Sequence, residues 1–202
     1  MSDIDAVLGF WIEPKPTTEE EVAERGKLWF GGGPELDRNI RERFGALLER
    51  ARKGELDDWA KEPRGRLALV ILLDQFSRNV YRGSPEAFAR DGKALALSRE
   101  AFDAGLYDSA DAIDRMFASL PFSHAEDLES QRRATRCAVQ SFRAAPPHLR
   151  KFLAGAVDFA RKHVDVIARF GRFPHRNATL GRASTEEELE YLAYLGDTGQ
   201  WL

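Results

Sequence analysis

The residues with the greatest chemical potential lie in four short polar segments, and the first spans residues 72–79 (LLDQFSRN). Asp74, Arg78 and Arg82 are spaced four residues apart, so a helix would place them on one face, directly after an apolar segment. Such a charged face could bind an ionic ligand. An Asp four residues before an Arg is also an ordinary helix ion pair worth about 0.2–0.5 kcal/mol, and both interpretations stay open.

The second segment, residues 121–127 (PFSHAED), places a histidine among carboxylates. Ser123 with Glu126 has the pattern of a capping box, which would put His124 in the first turn of a helix. A histidine beside carboxylates can act as a general base or a metal ligand, although acids at this position also favour the helix dipole. Because a metal would need a third ligand from elsewhere, no metal site is predicted. The candidate acid–base residues are His124, Glu126 and Asp127.

The last two segments are a lone histidine and a basic stretch. His163 lies on the apolar face of a long helix, where a hydrogen-bonded core histidine is the commoner arrangement. Residues 166–185 contain no acid, which is a local reversal of charge in an acidic chain. The basic residues of this stretch are Arg169, Arg172, His175, Arg176 and Arg182. Its arginines could bind a carboxylate or phosphate, or they could pair with the acids of the first two segments, and both interpretations stay open.

Length and composition indicate one acidic domain over residues 1–202, large enough to bury a full hydrophobic core. The chain of 202 residues has 30 Lys and Arg against 33 Asp and Glu, and 43% of its residues are apolar. The net charge of −3 argues against nucleic-acid or membrane-surface binding, and no apolar run reaches transmembrane length. A single cysteine, Cys137, excludes an intramolecular disulfide and a multi-cysteine zinc site. These features predict a cytoplasmic protein.

Helix start and stop signals divide the chain into about nine helices, with almost no strand signal. Ser2 is a predicted N-cap, Gly54 a predicted C-cap and Pro121 a predicted helix break, while Ser184 with Glu187 should cap the last helix. Short loops favour antiparallel neighbours, so we predict an all-α fold of stacked antiparallel helical hairpins. We expect the core, rather than a dimer surface, to hold Leu28, Trp29 and Phe30 as well as Trp201 and Leu202.

Taken in order, these segments resemble the bacterial domain-of-unknown-function family 924 over nearly the whole chain. The matching motifs include VLGFW, GELDDWA, GRLALVILLDQFSRN, PFSHAED, RFGRFPHRN and LGRASTEE. The resemblance implies a tetratricopeptide-like all-α fold but no reaction, because the family's function is not established. Ser77 and Ala125 stand where the family usually has proline and serine. The residues that match the family's motifs and form the candidate ligand-binding set are Asp74, Gln75, Arg78, Asn79, Arg82, His163, Arg172, His175, Arg176, Asn177 and Arg182.

Three functions compete at this stage. The leading hypothesis is a pocket that binds, or binds and turns over, a small anionic or polar ligand where the four segments meet. The alternative is a tetratricopeptide-like scaffold that binds a protein partner without catalysis, and a third is a purely structural ion-pair network. No cofactor is indicated. The sequence has no nucleophile elbow and no phosphate-binding loop, and Cys137 has no base near it in the sequence.

Overall fold

Nine helices form the fold in the computed structural model, which describes residues 2–198. The helices are α1 Asp3–Trp11, α2 Glu19–Gly26 with a π-helical extension Lys27–Gly31, α3 Pro34–Lys53, α4 Pro63–Val70 continuing through a π-helical segment Ile71–Phe76 to Ser77–Val80, α5 Asp91–Asp103, α6 Ala112–His124, α7 Leu128–Ala144, α8 Pro147–Phe170 and α9 Glu186–Thr198. Short 3₁₀ turns lie at Asp57–Lys61, Pro85–Ala87 and Pro174–Arg176. Residues 2–198 contain no strand, so the predicted all-α class is confirmed.

Several helix boundaries follow directly from local sequence chemistry. Ser2 accepts the Asp5 backbone N–H while the Asp5 carboxylate accepts the Ser2 N–H, a complete capping box at the start of α1. Gly54 ends α3 with a φ of +87°, a left-handed conformation that costs glycine little. The predicted N-cap Ser2 and C-cap Gly54 are therefore confirmed.

Two predicted boundaries are wrong. Pro121 lies inside α6, which continues to His124, because the fully buried Phe122 holds the final turn against the core. Ser123 is therefore not the N-cap of α7. Asp127 caps that helix by accepting the Ser130 N–H at 2.8 Å, because Asp is as good an N-cap residue as Ser. His124 consequently sits at the C-terminal end of α6.

The last helix is also capped one residue later than predicted. Thr185 accepts the Glu188 N–H at 3.2 Å and the Glu188 carboxylate accepts the Thr185 N–H at 2.9 Å, so the capping box is Thr185 with Glu188. The predicted pair Ser184 with Glu187 is wrong because the Ser184 hydroxyl accepts from Asn177 instead. This shift of one residue turns Glu188, rather than Glu187, toward the interior.

The central helix of the fold is α4, against which α1, α3, α5 and α6 pack. Edge-on and tilted aromatic contacts fill the core around it: Phe76 lies 5.3 Å from Trp11 and 5.0 Å from Phe44, measured between ring centroids. Helices α6, α7 and α8 pack against one another in sequence through short turns, as helical hairpins do. Tetratricopeptide-like stacking stays a prediction.

Residues 28–30 divide between core and surface, and Leu28 is partly buried and packs against the core. Trp29 is buried and donates its indole N–H to the Trp11 carbonyl at 2.7 Å, whereas Phe30 is 57% exposed. The core expectation is thus confirmed for Trp29 and wrong for Phe30, and Trp201 and Leu202 lie outside the described residues. Among residues 2–198, no helix combines the length and hydrophobicity that crossing a bilayer requires.

The π-helical segment Ile71–Phe76 carries Asp74 into the interior, whereas Arg82 lies beyond the end of α4. The six residues of the segment are buried, and its hydrogen bonds reach five residues back rather than four. Asp74 stays beside Arg78, but the helix ends at Val80, so Arg82 no longer follows the helical spacing and pairs with Asp37 of α3. The predicted single face of Asp74, Arg78 and Arg82 is therefore wrong.

Candidate functional site

Asp74 is a buried carboxylate with three polar partners. Its side chain is 1% exposed. Oδ1 lies 2.7 Å from His124 Nδ1 and 3.2 Å from Arg78 Nη1, while Oδ2 accepts a hydrogen bond from Gln75 Nε2 at 2.6 Å. The end of α6 and the π-helical segment of α4 thus bring together residues from two of the polar segments.

Arg78 connects this carboxylate to a second one that the sequence analysis missed. Its guanidinium donates two parallel hydrogen bonds to Asp91, at 3.0 and 2.9 Å, and a third to the Asp74 backbone carbonyl at 2.8 Å. Asp91 is the first residue of α5, where an acid is explained by the helix dipole alone, so only the fold identifies it as a partner.

The protonation of this cluster follows from its burial and charges. Burial opposes ionisation of Asp74, but the charge of Arg78 and the hydrogen bonds from His124 and Gln75 outweigh it and hold the pKa of Asp74 well below its usual range. Burial, together with the charge of Arg78, lowers the pKa of His124 despite its contact with Asp74. An ionised Asp74 beside a neutral His124 requires the ring proton on Nδ1, which leaves a lone pair on Nε2.

This assignment predicts a histidine that ionises at a lower pH than usual. At pH 6.5, where an unperturbed histidine is half charged, we expect the His124 ring to be less than half charged, with the neutral form protonated on Nδ1. Nitrogen-15 NMR of the ring nitrogens between pH 5 and 8 measures this, and the His124→Gln variant assigns the signals. A cationic ring at pH 6.5 would contradict the assignment.

Arg176 is the most unusual cation of the site. It is 7% exposed and lies between the rings of Phe88 and Phe173, with its guanidinium carbon 5.0 and 4.5 Å from their centroids. Nη1 donates to the His124 carbonyl at 2.9 Å and lies 3.8 Å from Asp91 Oδ2. Within the described residues Nε and Nη2 donate no hydrogen bond, and Nε is fully buried. Burial, with the charge of Arg78, lowers the pKa of Arg176 to about 10, so it stays charged at neutral pH.

An open groove of about 400 Å³ lies over these residues. Its floor and walls come from the start of α5, the end of α6, the α6–α7 turn and the turn at Pro174–Arg176. The polar residues that line it are Asp91, His124, Glu126, Asp127 and Arg176, and its apolar wall includes Phe88. A volume of this size is within the range of small-molecule sites.

A second network holds the basic stretch against the site. Arg182 binds both oxygens of Glu126, at 2.6 and 3.0 Å, and Glu126 Oε1 also accepts the Phe173 backbone N–H at 2.8 Å. Burial raises the pKa of Glu126, but the hydrogen bond from Arg182 outweighs burial and keeps that pKa below its usual value. Arg182 further donates to the Asn177 side chain at 2.9 Å. Both Glu126 oxygens are thus engaged in positioning the chain that carries Arg176.

Glu188 is the second acid of this network and was not predicted. It is 2% exposed and accepts two hydrogen bonds from Arg172, at 2.7 and 2.8 Å, and one from Asn177 at 3.1 Å. These contacts, led by the bonds from Arg172, lower the pKa of Glu188 to about 2. The capping pattern at Thr185 was the sequence signal that could have identified it.

The remaining predicted residues lie apart from the groove or at its edge. Asn79 and Arg82 both bind Asp37, which ties the end of α4 to α3. His163 packs edge-on against Phe159 and Phe173, and burial lowers its pKa to about 3, as for a neutral core histidine. His175 is exposed, and the α7 cap Asp127 lies 3.7 Å from Arg99. Over residues 2–198 no three His, Cys, Asp or Glu side chains are grouped so that they could hold a metal ion.

Comparisons with known proteins support the resemblance seen in the sequence. The model of a family described as bacterial proteins of unknown function, DUF924, matches residues 7–196. The solved structure of a protein of unknown function from Agrobacterium tumefaciens is similar, with 33% identity and a TM-score of 0.76, over 94% of this chain and 96% of that one. No curated protein matches.

Proposed function

This chain belongs to the DUF924 family of bacterial proteins of unknown function, and we propose that its groove binds a small anionic ligand between Arg176 and His124. The observation that carries the proposal is Arg176, a buried cation that uses one guanidinium nitrogen for a hydrogen bond in the described part of the chain. An arginine has five N–H donors, and leaving donors of a buried charged group unpaired is costly. A ligand carboxylate or phosphate would pair with the unused donors on Nη2.

The charges around Arg176 explain why an anion is the complementary ligand. Asp91, which lies 3.8 Å from Arg176 Nη1, already accepts two closer bonds from Arg78. Glu126 is occupied by Arg182, and one oxygen of Asp127 accepts the Ser130 N–H at the start of α7. Each acid that lines the groove therefore has another partner, and Arg176 retains unused capacity for negative charge.

The Asp74–His124 pair adds a base to the anion site. Asp74 fixes the ring through Nδ1. His124 lines the groove, and its Nε2 forms no hydrogen bond with any group of residues 2–198. Nε2 can accept a proton from a hydroxyl group, an amine or a water molecule on the ligand side. The best ligand therefore carries a hydroxyl or amino group close to its acidic group.

If the ligand is turned over, the nucleophile must come from the ligand or from water. Cys137 is buried in α7, and burial raises the pKa of its thiol to about 11, which makes it a poor nucleophile at neutral pH. Glu126 lines the groove, but both of its oxygens are bound by Arg182 and the Phe173 N–H, so the second network acts by positioning Arg176. Base-assisted chemistry at His124 is the reaction class that this arrangement favours.

Ligand-induced thermal stabilisation tests the proposal. Carboxylated, hydroxycarboxylated and phosphorylated metabolites are added one at a time, and a ligand at 100 times its dissociation constant should stabilise the fold by about 2.7 kcal/mol, or roughly 5–10 °C. Arg176→Gln should abolish the shift, because Gln keeps a polar side chain but removes the charge. His124→Gln should weaken ligands with a hydroxyl or amino group more than simple anions.

The matched control for this experiment is Arg169→Gln. Arg169 belongs to the same basic stretch, but it is half exposed and pairs with Glu187 at the surface. It should leave the ligand-induced shift unchanged. A panel without any shift, or a shift that Arg176→Gln retains, would overturn the proposal and favour the scaffold alternative.

A further inference from the structure

A separate cavity of about 530 Å³ lies between α6, α7 and α8, outside the groove. Its walls are mostly apolar, and small residues on the facing helices leave the space that larger side chains would fill: Ala134 and Ala138 on α7, and Gly155, Ala156 and Ala160 on α8. Leu120 and Ser123 of α6 line the cavity, whereas Pro121 and His124 line the groove, so the two sites use neighbouring faces of that helix.

Ser141 is the second observation that points to a ligand here. It lines the cavity from α7 and is 1% exposed, and its hydroxyl has no hydrogen-bond partner among the described residues. An unpaired buried hydroxyl is costly in an apolar environment. A polar group that entered the cavity would pair with this hydroxyl and remove that cost.

The walls define the rest of the ligand. Phe30, Phe152 and Phe159 line the cavity, and the first two rings lie 6.2 Å apart. Phe30 and Phe159 are partly exposed although they are large and apolar. None of the described residues that line the cavity is charged, so a charged ligand group would have no counter-charge inside it. A compound that matches these walls is neutral, largely apolar and aromatic.

We propose that this cavity is a binding site for a neutral aromatic compound that carries one hydroxyl or carbonyl group, which pairs with Ser141. The proposal does not depend on the function proposed for the groove. The two sites share α6, but the groove holds charged and titratable side chains, whereas those lining the cavity are uncharged.

Three probes that differ by one group test this site by isothermal titration calorimetry. 4-Ethylphenol should bind, ethylbenzene should bind more weakly, and 4-ethylbenzoate should bind least because of its charge. Ser141→Ala should lower the affinity for 4-ethylphenol about three- to tenfold, the net value of one hydrogen bond, and leave ethylbenzene unchanged. Because the replaced hydroxyl is unpaired, this variant should fold at least as stably as the native protein.

Two further variants separate the cavity from general effects on the fold. Ser98→Ala removes another buried hydroxyl without a partner, in α5 and outside the cavity, and should change no affinity. Gly155 lines the cavity, and a Cβ added there meets no atom within 4 Å, so Gly155→Leu places a larger side chain at the cavity wall and should weaken the binding of 4-ethylphenol and ethylbenzene by about tenfold or more. Absence of binding by both neutral probes, or equal losses for both in Ser141→Ala, would overturn the proposal.

Discussion

Replacing Asp74 by Ala is expected to lower the free energy of unfolding by about 3–5 kcal/mol, the usual cost of removing one member of a buried ion pair. Asp74 is 1% exposed and contacts Arg78, His124 and Gln75 within 3.2 Å. Its removal leaves buried donors without an acceptor and opens a cavity beside the π-helical segment of α4. Equilibrium urea unfolding measures the change. An m-value equal to that of the native protein would show that the two proteins expose similar surface on unfolding.

Two companion variants make this result specific to the cluster. Asp74→Asn keeps one carbonyl oxygen and should cost less than Ala. Asp103→Ala removes a carboxylate that is 66% exposed and pairs with Arg133 at the surface, and it should change stability by no more than about 0.5 kcal/mol. A loss below about 1 kcal/mol in Asp74→Ala would show that Asp74 is not the centre of a buried network.

Local signals in the sequence predicted most of the fold, because helices depend on neighbours close in the chain. Ser2 and Gly54 end helices through contacts within a few residues, and both were predictable. Pro121 misled because tertiary packing of Phe122 keeps α6 helical beyond the proline. The sequence carries no recognisable signal for the π-helical segment, because its wider hydrogen-bonding pattern reflects packing rather than residue type.

The residues of the candidate site could be proposed from the sequence, but their pairing could not. His124 and Arg176 were both candidates, and the fold places them side by side through a bond from Arg176 to the His124 carbonyl. Their acidic partners were less predictable, because Asp91 pairs with Arg78 across the start of another helix. Spacing along one helix cannot show such contacts. The sequence therefore identified residues able to do chemistry, and the tertiary fold separates those facing the groove from those, such as Arg182, that position it.

Replacing Glu188 by Gln is expected to lower stability at pH 7 by about 2–3 kcal/mol, because the hydrogen bonds of its carboxylate to Arg172 are charge-assisted. The pKa of Glu188 is lowered from 4.5 to about 2 in the folded chain, chiefly by those bonds. A lowered folded pKa means that the stabilisation is complete above the unfolded pKa and is lost as the pH falls toward the folded one. The advantage of the native protein over Glu188→Gln should therefore shrink between about pH 5 and pH 2.

Asp37, Asp74 and Glu126 also have lowered pKa values, so the whole fold loses stability in acid. The contribution of Glu188 is therefore read from the difference in unfolding free energy between the native protein and Glu188→Gln. Urea unfolding at pH 7, 5, 4 and 3 measures that difference directly. The neighbouring Glu187→Gln is the matched control: Glu187 and its partner Arg169 are both more than half exposed, so its effect should stay within about 0.5 kcal/mol at each pH. A Glu188→Gln deficit that stays constant from pH 7 to pH 3 would mean that the lost stability comes from packing or capping rather than from the ionised carboxylate. A deficit that closes on acidification would establish that the charge of Glu188 holds the basic stretch, and with it Arg176, against the groove.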